Sequence, residues 1–430
     1  MHKELPVKEN IIEFIPVIRM LLSDTNLKIA RLKYNSLNRP YCDNRNNLDK
    51  AIKNYGTQSF SGWDGKFIFL EDTSSPDKII TSFIRELRKF RTKNPNPPKI
   101  ILIKDYGVLA VDDNSASADK VMNEFEDLIE GLNKKGIGKN KSKGILREMP
   151  ETGQKKSIIY QKICVVTGGA QGFGEGISRS LVHENANLVI ADLNEEKGHL
   201  TAIELKGLCN HNDLCFIKTD VSNPESVKNL IVYTVKNFGG IDVFISNAGI
   251  LKAGGLDEMK PEDFELMTKI NYEGYFLCTK YASYVMKLQS KYHKEYYSDI
   301  IQINSKSGLK GSNRNFAYAG GKFGGIGLTQ SFALELAPFR IKVNAICPGN
   351  FFEGPLWSDP KQGLFVQYLK AGKVQGAKTI DDVRRYYEKQ VPLGRGCRVQ
   401  DVMKALIYIV SQEYETGQAV PVTGGQEMLS

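Results

Sequence analysis

From about Lys156 to Ser430, short runs of β-branched residues alternate with helix-length amphipathic stretches, and this alternation sets the fold. The strand-like runs are Ile163–Thr167, Asn187–Asp192, Leu214–Thr219, Val243–Asn247, Asp299–Asn304, Lys342–Ile346 and Ala419–Val422. Between them lie segments such as Pro224–Asn237 and Tyr318–Ala337, with apolar residues at helical spacing. A strand, a helix and a further strand in series are joined by a crossover, which makes the strands parallel. The expected fold is α/β: a Rossmann-type doubly wound parallel sheet over residues 156–430.

Residues 1–155 read differently, and 430 residues exceed what one core usually fills. Helical periodicity runs through Ile11–Leu22 and Lys78–Phe90, and Ile100–Lys104 and Gly107–Val111 form a hairpin pattern turning at Asp105–Tyr106. A further helix, opened by Ser115 or Ser117, runs to about Leu132. These elements predict a small N-terminal α+β domain. A Lys/Gly-rich linker follows through Gly153, containing Lys134, Lys135, Lys139, Lys141 and Lys143.

Composition narrows the class. A content of 41% hydrophobic and 25% charged residues is that of a soluble globular protein. Apolar runs such as Ala405–Val410 are too short to span a bilayer, and the first residues lack the apolar core of a secretory signal. The expectation is a cytoplasmic protein without a membrane partner. The net charge of +9 comes from bases interleaved with acids, with no recognition module for nucleic acid, so attraction of anionic metabolites is expected instead. Seven scattered cysteines, none at metal-site spacing, read as buried thiols; no metal is expected.

Directly after the first C-terminal strand come Thr167, Gly168, Gly169, Ala170, Gln171, Gly172, Phe173 and Gly174, and then a helix. Glycines here allow a tight turn, close approach of backbone N–H groups to a pyrophosphate, and close helix packing. The next strand ends in Asp192, whose carboxylate suits ribose hydroxyls and repels a 2′-phosphate; neither Gln171 nor Leu193 offers a cation. NAD is therefore expected rather than NADP. Asp220 and Val221 end the third strand, where they can clasp the adenine, and Asn247, Ala248 and Gly249 end the fourth, beside the ribose.

Tyr318 and Lys322, four apart on a helix, share one face; Ser305 ends the preceding strand and Asn271 lies in the helix before it. Taking hydride from a carbinol needs the hydroxyl proton removed as well. A phenol is a poor base at neutral pH, and an adjacent ammonium is expected to lower its pKa. Ser305 can hold the substrate oxygen, and Asn271 can position a water that relays protons through Lys322.

Together these residues resemble the short-chain dehydrogenase/reductase family over essentially all of residues 158–430. Within it, Ile300–Gly308, Lys322–Ser331, Val391–Cys397, Gln400–Val402 and Val422–Gln426 are similar to the sorbitol-6-phosphate 2-dehydrogenases. The resemblance implies Asn271, Ser305, Tyr318 and Lys322 as the catalytic tetrad, and NAD-linked interconversion of D-sorbitol 6-phosphate and D-fructose 6-phosphate. It implies nicotinamide contacts from Tyr318, Lys322, Pro348 and Gly349, and a homodimer or homotetramer paired through helices around Asn271–Met286 and Tyr318–Ala337. A sugar phosphate needs cations nearby: Lys252 and Lys306 are candidates, Arg314 a weaker one, with Asn350 a further substrate contact. Glu353 stands where many relatives carry a threonine for the nicotinamide amide, and Phe351–Tyr387 is the expected substrate-closing lid.

Residues 1–155 resemble the C-terminal part of a class II aldolase/adducin-type domain, through Pro98–Ala110 and Leu146–Pro150. Such aldolases bind zinc through three histidines, whereas the only histidine before His183 is His2, so a catalytically silent remnant is expected. Two alternatives remain open: a dehydrogenase for another polyol or secondary alcohol, and a cofactor-binding scaffold with an N-terminal interaction domain.

Overall fold

The computed structural model describes residues 4–23, 26–49, 66–133, 157–209, 212–370 and 372–428. The expected linker lies outside them. The chain divides into two compact units, Met1–Tyr160 with Val235–Gly240, and Gln161–Thr234 with Ile241–Ser430.

The first unit holds a four-stranded sheet of β1 (Ile29–Lys33), β2 (Phe67–Leu70), β3 (Ile100–Ile103) and β4 (Gly107–Asp112), in the order β1-β4-β3-β2. The hairpin β3–β4 is antiparallel, with Ile103 opposite Gly107; its turn puts Asp105 at φ 62° and Gly107 at φ 116°. β2 lies parallel to β3. The helix Pro76–Arg91 starts at Ser75, whose hydroxyl accepts from Lys78 N. The helix Ser115–Asn133 sends Val121 and Phe125 into a core with Leu102, Val108 and Ala110. The single helix expected over Ile11–Leu22 is instead a 3₁₀ turn, Glu9–Glu13, and an α-helix, Ile15–Leu22. Pro16 sits in the first turn, where its missing N–H costs nothing.

The second unit is built on seven parallel strands: β5 (Ile163–Thr167), β6 (Asn187–Asp192), β7 (Leu214–Lys218), β8 (Val243–Ser246), β9 (Ser298–Ile303), β10 (Ile341–Pro348) and β11 (Ala419–Val422). Their order is β11-β10-β9-β8-β5-β6-β7. β5, β6, β8, β9 and β10 are buried throughout, as expected of parallel strands covered on both faces. The order reverses between β5 and β8, and the crevice outside the carboxyl ends at such a point is where doubly wound folds bind ligands.

Residues 351–391 contribute three short helices, Pro355–Ser358, Leu364–Lys370 and Ile380–Lys389. They share a small core of Phe352, Trp357, Phe365, Tyr368, Val383 and Tyr387, against which Leu251 and Ala253 pack. This segment roofs the loop that follows β8.

Candidate active site

At the end of β5, the buried Thr167 hydroxyl accepts from Asn247 N (3.0 Å) and Ala248 N (3.1 Å). In return, Asn247 Nδ2 donates to Thr167 O and Gly168 O, both at 3.0 Å. Each strand end thus fixes the other. Gly168 adopts φ 62°, and a Cβ there would lie 2.9 Å from Ala248 Cα, so both conformation and crowding demand glycine. A Cβ at Gly174 would collide with Gly168 O, which explains the helix's close approach to the loop.

Gln171 precedes the helix Gly172–His183 without capping it through its side chain, leaving first-turn N–H groups with a partial positive charge. Above Gly172 there is room: the nearest atom to a Cβ there is Pro355 Cδ, at 3.9 Å. A dinucleotide pyrophosphate fits this cradle. Phe173 stacks on Phe351, with ring centroids 4.5 Å apart, joining the glycine loop to the root of the lid.

Asp192 is buried rather than a free strand-end acid. Its Oδ2 accepts from Ala170 N (3.0 Å) and its Oδ1 from Asn194 N (2.9 Å). Each oxygen keeps a lone pair for a further donor. Asp220 Oδ1 accepts from Ser222 N and Oγ, and Val221 is buried within contact of Gly274.

Ser305 stands just past β9, where it caps a 3₁₀ turn, Lys306–Gly308, by accepting from Ser307 N (3.1 Å). Its hydroxyl lies close enough to the Tyr318 phenol to pull the phenol pKa down. Tyr318 and Lys322 lie in the helix Phe316–Leu336; Lys322 Nζ donates to Ile303 O (2.9 Å) and lies 5.6 Å from the centre of the Tyr318 ring. Asn271 sits not in a regular helix but in a π-type turn, Lys269–Glu273, between the helices Pro261–Thr268 and Gly274–Tyr292. Such turns are frequent at functional sites. Both ends of its amide bond Ile250: Oδ1 accepts from the N–H (2.9 Å) and Nδ2 donates to the carbonyl (2.8 Å). Asn271 and Lys322 converge beside Gly249, where a Cβ would lie 3.0 Å from Asn271 Oδ1 and 3.8 Å from Lys322 Nζ.

The electrostatics correct one expectation. The Tyr318 phenol is not lowered by the ammonium: burial pushes it above the ordinary tyrosine range, partly offset by the nearby Ser305 hydroxyl. Burial likewise pushes Lys322 down to about 8, so the same desolvation disfavours both charged forms. The Cys347 thiol beside them is pushed up to about 12 by burial.

Two side chains that the sequence reading missed hold this arrangement. Asn304 donates to Gln302 Oε1 (2.7 Å) and to the Lys322 carbonyl (2.9 Å), while its Oδ1 accepts from Ser305 N (2.8 Å). The available signal was two amides at the buried, isoleucine-rich end of β9, since buried polar groups must be paired.

The substrate candidates fare unequally. Lys306 adjoins Ser305 and is half-buried. Lys252 is held by Asp263 at 2.5 Å, and Arg314 is paired with Glu258. Asn350 borders a cavity of about 350 Å³ lined by Val391, Arg395, Cys397 and Thr423, none of them a catalytic candidate. Pro348 and Gly349 end β10 in register with β11, Gly349 N donating to Val422 O (2.9 Å). Glu353 accepts from Arg384 (3.4 Å). Among the described residues, no helix is long and apolar enough to cross a membrane.

Comparisons with known proteins agree with this geometry. A family model for short chain dehydrogenase matches residues 162–357. Sorbitol-6-phosphate 2-dehydrogenase of Escherichia coli (strain K12) is 36% identical over 270 residues, covering 62% of this chain and 99% of that protein. The crystal structure of sorbitol-6-phosphate 2-dehydrogenase from Erwinia amylovora matches with TM-score 0.57 and 36% identity, over 62% of this chain and 100% of the other. The fold also matches 3-ketoacyl-(acyl-carrier-protein) reductase from Brucella melitensis, solved with NADH, at TM-score 0.53 and 23% identity, over 63% of this chain and 100% of that one. Family model, relatives and the Ser305–Tyr318–Lys322 geometry converge: the chain belongs to the short-chain dehydrogenase family.

Proposed function

We propose that this oxidoreductase uses NAD to interconvert a sugar alcohol phosphate and a ketose phosphate, with D-sorbitol 6-phosphate and D-fructose 6-phosphate as the pair. The observation that carries the reading is Lys322, held by Ile303 O at 2.9 Å with its Nζ 5.6 Å from the centre of the Tyr318 ring, in a chain 36% identical to a sorbitol-6-phosphate 2-dehydrogenase along nearly all of that enzyme.

Thr167, Gly168, Gln171, Gly172, Phe173 and Gly174 hold the dinucleotide's pyrophosphate side. Asp192 takes the adenosine ribose, Asp220 and Val221 the adenine, and Asn247, Ala248, Gly249, Pro348 and Gly349 the nicotinamide half. The carboxylate of Asp192 favours NAD over NADP. A bound nicotinamide supplies the hydride acceptor. Ser305 Oγ holds the substrate oxygen, Tyr318 Oη removes its proton, and Lys322 with Asn271 returns that proton toward solvent. General acid–base help of this kind is worth roughly 10²–10⁴ in rate.

Residues 156–430 form the dehydrogenase domain. The unit before it serves packing, assembly or regulation, and the protein works in the cytoplasm. Self-association uses the helices Gly274–Tyr292 and Phe316–Leu336, which expose Phe276, Phe323 and Leu334.

Full-length protein should form NADH, followed by absorbance, with NAD and D-sorbitol 6-phosphate. D-sorbitol, mannitol 1-phosphate and NADP should serve at least about tenfold less well, the discrimination a site built for a polar group can supply. No turnover of any polyol or polyol phosphate would remove this reading.

A further inference from the structure

We propose that Asn315 is a substrate-binding residue: its Oδ1 accepts a hydrogen bond from the hydroxyl on a carbon next to the reacting carbinol. The inference rests on the polyol-phosphate reading above and adds the group that recognises the neighbouring hydroxyl.

Asn315 stands at the N-cap of the catalytic helix Phe316–Leu336, one turn before Tyr318. Asparagine is among the best capping residues, because its side-chain oxygen accepts from an N–H group of the first turn. Asn315 makes no such bond, and its φ of −152° and ψ of 26° depart from the extended backbone of an ordinary capping residue. It is buried nonetheless, only 4% exposed, and among the described residues its Oδ1 has no hydrogen-bond partner. The chain thus gives up a helix cap and leaves a buried acceptor unpaired, at the start of the helix that carries the phenol. Buried polar atoms are rarely left so, and one beside a reacting centre points to a ligand that completes it.

The backbone just before Asn315 is fastened to the loop after β8. Arg314 holds φ 56°, rare for a residue with a Cβ, and its carbonyl accepts from Gly254 N (3.0 Å). Its guanidinium pairs with Glu258, whose Oε2 accepts from Gly255 N (3.1 Å). The same loop is bonded at Ile250 by the Asn271 amide, and its Leu251 and Ala253 pack against the lid's core. Position 315 therefore lies where the catalytic helix meets the loop that Asn271 grips and the lid covers.

An amide oxygen only accepts, so its partner must donate. The reacting hydroxyl gives its proton to Tyr318 and is not free to serve. A polyol brings a second O–H on the adjacent carbon, whereas an isolated secondary alcohol brings none. Two held oxygens on neighbouring carbons also stop rotation about the bond between them, which keeps the carbinol in one orientation.

The test uses full-length wild type, N315A, N315L and N315D in NADH oxidation with D-fructose 6-phosphate and with its 1-deoxy and 3-deoxy analogues. Each analogue lacks one hydroxyl beside the carbonyl. In wild type, one of them should fall about tenfold or more in kcat/KM, as expected when a buried acceptor is left unpaired. In N315A the parent ketose should lose activity and the penalty for that missing hydroxyl should shrink to within about twofold, as for two partners of one bond. N315L, close in shape to the native residue, should behave alike and gives the same readout if N315A does not fold. N315D keeps an acceptor and should keep the penalty. A penalty that persists at full size in N315A or N315L would overturn the contact and make the amide structural, as would wild type that handles all three ketoses alike. Wild type that turns over none of them would instead overturn the polyol-phosphate reading, and the contact with it.

Discussion

Around the carboxyl ends of β5, β6, β8 and β9, several candidate side chains are held by backbone groups: Thr167 by Asn247 and Ala248, Asn271 by Ile250, Lys322 by Ile303, and Asp192 by Ala170. The lid across the crevice is held by rings. Trp357 makes edge or tilted contacts, 5.0 to 5.7 Å between centroids, with Phe352, Phe365, Tyr368 and Tyr387. Hydrogen bonds are directional, and a buried group left unpaired is costly, so the floor has one arrangement. Ring contacts are less directional than hydrogen bonds, so the roof is held by the packing of its cluster rather than by a set of fixed polar pairs. Under the proposed function, the chemistry falls to the floor and the choice of substrate to the roof.

The largest expected effect is on the floor. Tyr318→Phe should lower kcat by roughly 10²–10⁴ while leaving NADH affinity, read by fluorescence titration, nearly unchanged. Activity within tenfold of wild type would mean that another group removes the proton.

Next comes Asn304→Ala, which leaves the Gln302 amide and the Lys322 carbonyl without their buried partner. A cost of about 1–3 kcal/mol should appear as a lower Tm and a lower kcat together. An unchanged kcat would show that β9 does not position the catalytic helix through this amide.

Trp357→Ala should act on the other side of the comparison. It removes the hub of the lid's core, and KM for the sugar phosphate should rise about tenfold with kcat largely kept. Equal losses of kcat in Trp357→Ala and Asn304→Ala would erase the distinction between floor and roof.

The parallel sheet was legible because strands buried on both faces become apolar runs separated by helical periods, as in Ile163–Thr167 and Asn187–Asp192. β1 escaped notice because Arg31 and Lys33 interrupt its apolar run. Tyr318 and Lys322 could be paired from sequence because four residues make one turn of a helix. Their titration could not, because desolvation depends on what covers them.

Local spacing therefore determined the strand series, the glycine turn and the helix face that carries the phenol and the ammonium, since each depends on neighbours a few residues apart. Tertiary structure decided the rest: the π-type turn at Asn271, the Asn304 link to the catalytic helix, and the diversion of Lys252 to Asp263 and of Arg314 to Glu258. The physical reason is range. The hydrogen bonds of helices and turns join residues a few positions apart, whereas long-range side-chain bonds, burial and the field of distant charges exist only once the chain has closed on itself.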